Sequence, residues 1–242
     1  ADPTDQQGSL GRLVDDLNND RVKLLIILGG NPAYNTPGSV GLADAMGKVA
    51  LRVHLTGENN ETSELCHWVI PESHALESWG DIRAYDGTHS IVQPLIRPLY
   101  NSKTATQILA VLLGDEAPND YDIVRARFAG LYGADSDAKW KLALSKGLVE
   151  GSAFKPVAVS YRGTVPAEAE HVQPDGLELL FRNDPHVADG RYANNAWLQE
   201  LPKPLTKLTW DNALHIHPTT AMKYELEQAD VAIVKVGERE VR

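Results

Sequence analysis

Residues 22–32 have the sequence Val22-Lys-Leu-Leu-Ile-Ile-Leu-Gly-Gly-Asn-Pro32. The first seven residues form an apolar run that is typical of a strand buried inside a parallel sheet. Two glycines, an asparagine and a proline then end the run abruptly, because glycine permits backbone turns that other residues resist. A buried strand followed by a tight turn is therefore the first element of the predicted fold.

The neighbouring segments extend this pattern. An amphipathic helix is predicted at residues 10–17, a second helix at 40–49 before a strand at 51–55, and a short helix at 61–66 before a strand at 68–70. This alternation of strands and helices predicts an α/β fold with an open, parallel, Rossmann-like sheet. Such a sheet has its ligand crevice at the carboxyl ends of its strands.

The remainder of the chain is less regular. Residues 76–99 contain two glycines and two prolines, so we expect them to be largely irregular. Periodicity predicts three further helices, at residues 105–113, 121–132 and 138–144.

A change in composition from residue 177 onward, after a connector, predicts a second domain. We assign residues 1–150 to the α/β domain and residues 151–242 to a connector followed by a partial β-rich domain. The strand candidates of this second domain are short and are separated by Asp, Asn, Gly and Pro; they are residues 177–182, 208–210 and 231–236.

Bulk properties exclude several functions. The 242 residues carry a formal net charge of −10 and no basic cluster, which argues against nucleic-acid binding. The longest apolar runs are far shorter than a membrane span, so direct membrane insertion is not expected. Cys66 is the only cysteine, which excludes an intramolecular disulfide and any iron–sulfur cluster held by this chain alone.

No residue pattern indicates catalysis or metal binding. His215 and His217 lie two residues apart, but a zinc site needs three or four ligands and no further partner stands at a suitable spacing. The glycine turn lacks the spacing of a dinucleotide fingerprint and the Lys-Ser/Thr pair of a P-loop. We therefore predict no catalytic and no metal-ligating residue in this chain.

Longer strings resemble a known family. Thr62-Ser-Glu-Leu-Cys-His-Trp-Val-Ile-Pro71 and Glu77-Ser-Trp-Gly80 resemble the third domain of the molybdopterin oxidoreductases related to dimethyl sulfoxide reductase. Asn31-Pro-Ala-Tyr-Asn-Thr-Pro37 and Asp189-Gly-Arg-Tyr-Ala-Asn-Asn-Ala-Trp-Leu-Gln-Glu-Leu-Pro202 are closest to one branch, the B subunit of alternative complex III. His217-Pro-Thr-Thr-Ala221 resembles the start of the family's fourth domain, a double-psi β-barrel.

The resemblance implies a cofactor and a site. The family cofactor is molybdopterin guanine dinucleotide, and in this branch the molybdopterin-like portion is thought to have lost it, with iron–sulfur clusters held elsewhere in the parent protein. We accordingly expect no cofactor in this chain. The positions that match a vestigial or weak cofactor site are Gly29, Gly30, Asn31, Thr62, Glu77 and Gly80. We expect the turn and the 77–80 loop to lie close together, with Glu77 accepting hydrogen bonds from the turn.

Three positions depart from the family pattern. His67 stands where an Asp is usual, Ala84 where an Asn is usual, and Thr88 where an Arg is usual. Arginine is the natural bidentate partner of phosphate, so its replacement weakens the case for a bound dinucleotide.

The resulting hypothesis is a non-catalytic scaffold portion of a respiratory, quinol-oxidising, molybdopterin-oxidoreductase-like subunit. One alternative is part of a genuine molybdopterin guanine dinucleotide-binding oxidoreductase, and a further alternative is an independent small-ligand-binding module. The resemblance also implies partner subunits of a membrane-bound respiratory complex and a periplasmic location, with any export signal absent from these residues.

Overall fold

The computed structural model describes residues 5–161, 163, 176–211 and 213–241. Their contacts divide the chain into two compact units, Ala1–Asp175 and Gly176–Arg242. The domain boundary that we placed at residue 150 from composition stays a prediction.

A three-stranded parallel sheet is the centre of the first unit. Its strands β1 (Leu24–Leu28), β2 (Leu51–Thr56) and β3 (Trp68–Pro71) lie in the order β1-β2-β3. Leu24 pairs with Leu51, and Val53 pairs with Trp68. The α/β class and the parallel pairing of the first two strands, both expected from the sequence, are confirmed.

Helices cover one face of this sheet. Helix α1 (Gln6–Asn18) begins at Asp5, whose side chain accepts a hydrogen bond from the Gly8 N–H. The connection from β1 to β2 contains α2 (Pro32–Asn35), a 3-10 turn (Gly38–Val40) and α3 (Leu42–Met46). The predicted helix at 40–49 is thus shorter than expected, since Gly41 adopts a left-handed conformation with φ +69°.

The first hydrophobic core lies between these helices and the sheet. Side chains from α1 and α3 are buried there, and Leu25 and Ile27 of β1 pack against them. Helix α4 (Glu61–Glu64) connects β2 to β3, and its C-terminal neighbours Leu65 and Cys66 contribute to the same core. The buried residues of this first core are Val14, Leu17, Leu42, Ala45, Met46 and Val49.

Residues 76–99 are largely irregular, as expected, but they also contain an antiparallel hairpin that was not predicted. It consists of β4 (Gly80–Arg83) and β5 (His89–Val92), with Gly87 at φ +90° in the connecting turn. The strands are four residues long and carry polar side chains, so their alternation is too brief to be recognised in the sequence. Tertiary packing onto the helices that follow stabilises them.

Three helices follow the hairpin, close to the predicted positions: α5 (Ala105–Leu112), α6 (Asp120–Tyr132) and α7 (Ser136–Lys146). The hairpin forms a second core with α6 and α7. Phe128 and Trp140 are buried here, with ring centroids 5.0 Å apart. The imidazole of His89 is also buried; it hydrogen-bonds the Tyr132 hydroxyl through Nδ1 (2.9 Å) and the Asp81 carboxylate through Nε2 (3.0 Å).

The second unit contains short elements only. They are α8 (Ala196–Glu200), α9 (Pro218–Lys223) and an antiparallel pair, β6 (Val234–Val236) and β7 (Arg239–Val241). The strands expected at residues 177–182 and 208–210 are not formed, and no closed barrel is present in the described part. Isolated apolar runs of this length find no neighbouring strand to pair with here, and propensity alone does not stabilise a strand.

Candidate functional site

The glycine turn after β1 is the best-defined polar feature of the sheet edge. Gly29 and Gly30 have φ values of +72° and +74°, a left-handed conformation that other residues adopt only with strain. The Gly29 N–H donates to the Leu55 carbonyl (2.8 Å), which extends the parallel ladder by one bond. The turn therefore leaves the sheet at the carboxyl ends of β1 and β2, where the sequence predicted a crevice.

Asn31 and Thr62 connect the turn to helix α4. Asn31 Oδ1 accepts hydrogen bonds from the Thr62 hydroxyl (2.8 Å) and the Thr62 N–H (3.2 Å). The Thr62 hydroxyl oxygen in turn accepts the Ala33 N–H (3.0 Å), and Asn31 Nδ2 donates to Glu61 Oε2 (2.6 Å). Four predicted positions, Gly29, Gly30, Asn31 and Thr62, are thus brought together, and Thr62 is fully buried.

His54 supports the turn from beneath. Its side chain is fully buried, with Nε2 3.1 Å from the Gly30 carbonyl oxygen and Nδ1 3.0 Å from Ser63 Oγ. A carbonyl can only accept, so Nε2 carries the proton and Nδ1 is an acceptor; the single Ser63 hydroxyl proton is shared between Nδ1 and Asn60 Oδ1 (3.3 Å). Burial removes water from the charged imidazolium and lowers the His54 pKa, although the carbonyls of Gly30 and Gly29 act in the opposite direction. The ring is a neutral structural bridge.

Two carboxylates flank the turn. Glu72, directly after β3, has Oε2 3.7 Å from the position that a Cβ would occupy at Gly29. Burial raises the Glu72 pKa. The hydrogen bond from Asn31 lowers the pKa of the exposed Glu61 carboxyl. The electrostatic environment of the turn is therefore acidic.

Glu77 does not accept from the glycine turn, and this expectation was wrong. Its carboxylate accepts the N–H groups of His74 and Leu99, both at 3.2 Å, and so fastens its own loop. Gly80 begins β4 and pairs with Val92. Glu72, the first residue after β3, lies beside the turn instead of Glu77, because the chain leaves the sheet edge between these two residues. Glu77 instead lines a cleft of about 220 Å³ with Trp79 and other residues.

The three positions that depart from the family pattern have local roles or none. His67 exchanges two hydrogen bonds with the backbone of Arg52, through its own N–H (3.0 Å) and its Nδ1 (3.1 Å). The Thr88 hydroxyl and N–H both donate to the Asp86 carboxylate within the hairpin turn. Nothing in the structure assigns the Ala84 side chain a function.

The residues of the turn do not fit a doubly charged phosphate. Within the described ranges, the N–H groups of Gly30 and Asn31 have no partner and could donate to a ligand. Against this, the Asn31 and Thr62 side chains are bonded to each other, and Glu72 places a carboxylate at the same turn. No arginine or lysine side chain of the described chain hydrogen-bonds to residues 29–31.

Metal ligands are not gathered in the structure. The described residues contain no group of three or more His, Cys, Asp or Glu side chains that could hold an ion. His217 caps α9, its Nδ1 accepting the Thr219 N–H (3.3 Å). Burial raises the pKa of the Cys66 thiol, which disfavours the thiolate that a metal would need. In the part of the chain that is described, no helix is long and apolar enough to cross a bilayer.

Four residues of this site were not predicted from the sequence: His54, Asn60, Ser63 and Glu72. A signal existed for His54, since it is a polar side chain in an otherwise mainly apolar strand. Asn60 could have been identified as a helix cap, because its Oδ1 accepts the N–H groups of Thr62 and Ser63. Glu72 had no local signal.

Fold and site together define an open α/β sheet with an interlocked polar turn at its carboxyl edge. No protein-family model matches the chain. The chain is 30% identical over 174 residues to the menaquinone reductase, molybdopterin-binding-like subunit of Nitratidesulfovibrio vulgaris, a match that covers 66% of this chain. It supports a molybdopterin-oxidoreductase-like relationship. The chain spans about a quarter of that relative's length, 24%.

Proposed function

We propose that this chain is a non-catalytic scaffold portion of a molybdopterin-oxidoreductase-like subunit in a respiratory complex. The observation that carries the proposal is that the polar side chains of Asn31, His54, Thr62 and Ser63 are all engaged in hydrogen bonds within the protein. A cofactor site keeps polar side chains available for its ligand. Here these side chains satisfy one another, so they hold the turn in place without any ligand.

Electrostatics supports the same proposal. A dinucleotide carries negative phosphates, and binding them beside Glu72 brings like charges together in a half-buried place. Phosphate sites usually offset the anionic charge with arginine or lysine. A turn with two carboxylates and no such cation favours protein structure over phosphate binding.

The parent protein is proposed from the relative. Because that relative is a subunit of a menaquinone reductase, we infer that this chain belongs to a respiratory oxidoreductase-like subunit with partner subunits. Its assignment to alternative complex III, the oxidation of quinol, iron–sulfur clusters in other portions and a periplasmic location are parts of the proposal that rest on the family resemblance.

Calorimetric titration of the 242-residue chain with guanosine 5′-diphosphate tests the empty-site proposal. We expect no saturable heat, because the turn lacks cationic partners. A dissociation constant near 1 µM or below, equivalent to about 8 kcal/mol, would reject the proposal. The variant Glu72→Gln is the matched comparison. Binding in this variant alone would show that the Glu72 charge excludes the ligand. The absence of saturable heat in both proteins would agree with a turn that has a structural role only.

The second candidate function is a share in a genuine molybdopterin guanine dinucleotide site. One observation favours it: the N–H groups of Gly30 and Asn31 are unpaired among the described residues and stand at the carboxyl edge of the sheet. Backbone amides at such an edge are common phosphate donors. In the same titration, saturable binding of guanosine 5′-diphosphate but not of guanosine would support this candidate, because only the diphosphate can accept from these N–H groups. The third possibility, an independent small-ligand-binding module, stays a prediction.

A further inference from the structure

The two faces of the parallel sheet are unlike each other. Side chains alternate between the faces of a strand, and Leu25 and Ile27 of β1 point into the helical core. In β2, Arg52 and His54 point to the same side: Arg52 donates to the carbonyls of Met46 and Val49 around the end of α3. The intervening residues therefore face the opposite side, which we call the second face.

The second face is apolar throughout. The strand registers pair Leu24 with Leu51, Ile26 with Val53, and Val53 with Trp68. None of these residues belongs to either hydrophobic core. Leu24 is 45% exposed, Leu51 40% and Trp68 67%. Leu55, near the carboxyl end of the sheet, is the buried exception.

Such a face is not stable in water on its own. Parallel sheets occur almost only with both faces covered, and their strands are apolar on both sides for this reason. Large contiguous apolar patches on soluble proteins mark surfaces that another element covers. The run of leucine and isoleucine in β1 agrees with burial on two sides, whereas the described residues supply helices to one side only.

Topology indicates what covers the second face. The two crossovers, β1 to β2 and β2 to β3, both contribute residues to the core on the first face. Crossovers between parallel strands are right-handed. Helix α1, which precedes β1, also lies on the first face. A strand that follows β3 in the chain and is added on the free side of β1 reverses the direction in which the sheet grows, so its crossover helix lies on the second face. Within the described residues β1 has a single strand neighbour, β2, and its other edge is open.

We propose that one or more strand–helix units complete this sheet, with a strand parallel to β1 at its free edge and an amphipathic helix on the second face. We assign these units to the same, longer polypeptide, because the relative extends far beyond the part that this chain matches. One such unit covers both unsatisfied features, the apolar face and the open edge. The inference is independent of whether the glycine turn binds a cofactor.

Hydrogen exchange and fluorescence test the proposal on two proteins, the 242-residue chain and the complete product of the natural gene. In the complete product we expect the outward-pointing amides of Leu24–Leu28 to exchange at least about tenfold more slowly. Trp68 emission, obtained by subtracting the spectrum of Trp68→Phe, should shift to shorter wavelength and resist acrylamide quenching. If the 242-residue chain showed the same slow exchange and the same Trp68 shielding, and its mass were that of a dimer, the proposal would be overturned. A second copy of the chain would then cover the second face. Protection that appears only after a separate subunit is added would overturn it too, as would a natural product no longer than this chain.

A matched pair of substitutions gives an independent readout. Leu51→Glu places a charge on the second face, and Leu142→Glu places one on α7, where Leu142 is 44% exposed and lies four residues before Lys146. In the 242-residue chain both variants should melt within about 2 °C of the parent. In the complete product, Leu51→Glu should lower the melting temperature by at least about 5 °C while Leu142→Glu does not, because burying an unpaired charge is costly. Equal effects of the two substitutions in the complete product would overturn the proposal.

Discussion

His54 shows how a single side chain can hold a turn and still titrate. Its ring is buried between the Gly30 carbonyl and the Ser63 hydroxyl, and burial lowers its pKa below the ordinary value of 6.5. Below pH 6.5 the His54 imidazole binds a proton in the unfolded chain but stays neutral in the folded chain until the pH reaches the lowered pKa. The free energy of unfolding therefore falls as the pH decreases from 6.5 toward the lowered pKa, and it is insensitive to His54 above pH 6.5.

The variant His54→Gln should lose this pH dependence. Glutamine can still donate to the Gly30 carbonyl but does not titrate, so urea unfolding of the variant should weaken less than that of the wild type between pH 7 and pH 5. The difference between the two proteins at pH 8 measures the non-titrating effect of the substitution and serves as the baseline. Parallel curves for both proteins over the whole range would contradict the assigned role of His54.

Glu72 affects the pH dependence of stability in the opposite direction to His54. Burial raises its pKa, so the folded chain binds a proton more readily than the unfolded chain between the ordinary value of 4.5 and the raised value. This contribution to stability is present at lower pH and is lost as the pH rises through the raised pKa. The buried Glu72 carboxylate therefore slightly lowers the stability of the folded chain at neutral pH. The variant Glu72→Gln, used in the calorimetric titration, removes this effect.

The contact between the β1 turn and helix α4 is an interaction between elements that are far apart in sequence. Asn31 and Thr62 form it through two hydrogen bonds. We expect Asn31→Ala to lower the free energy of unfolding by about 1–3 kcal/mol, because the buried Thr62 hydroxyl loses its acceptor, whereas the Thr62 N–H still donates to Asn60 Oδ1. Chemical unfolding of Asn31→Ala, Thr62→Val and the double variant should give a coupling energy of about 0.5–3 kcal/mol.

Asn101→Ala is the control for this cycle. Asn101 is exposed and accepts one hydrogen bond from the Lys103 ammonium, at 3.0 Å. Its removal should change the free energy of unfolding by no more than about 0.5 kcal/mol. If Asn31→Ala were as mild as Asn101→Ala, the turn and the helix would not be coupled as the hydrogen bonds indicate.

Composition of the whole chain bears on its redox properties. With one cysteine, and no metal-binding cluster among the described residues, we expect the purified 242-residue chain to be colourless. Elemental analysis should find molybdenum and iron well below one atom per chain. Near-stoichiometric metal would contradict the scaffold proposal. Metal in the complete gene product, but not in this chain, agrees with cofactors held by other portions of the parent protein.

Local patterns were sufficient for much of the fold. The strands β1, β2 and β3 and the helices α1, α5, α6 and α7 follow from hydrophobic periodicity, which reflects burial of one face and survives in almost any tertiary context. The glycine turn was recognisable because two successive left-handed residues require glycine. The turn and Thr62, which the resemblance to a family placed in one site, are in hydrogen-bond contact in the structure.

Long-range packing was needed for the remainder. The hairpin of β4 and β5 exists because α6 and α7 pack against it, and the strands expected at 177–182 and 208–210 are absent although their composition favours strands. Glu72, and not Glu77, reaches the glycine turn because the path of the chain after β3 decides which carboxylate comes near. Sequence spacing specifies periodicity along the chain, whereas the distance between residues 29 and 72 depends on the pairing of three strands and is therefore a property of the folded sheet.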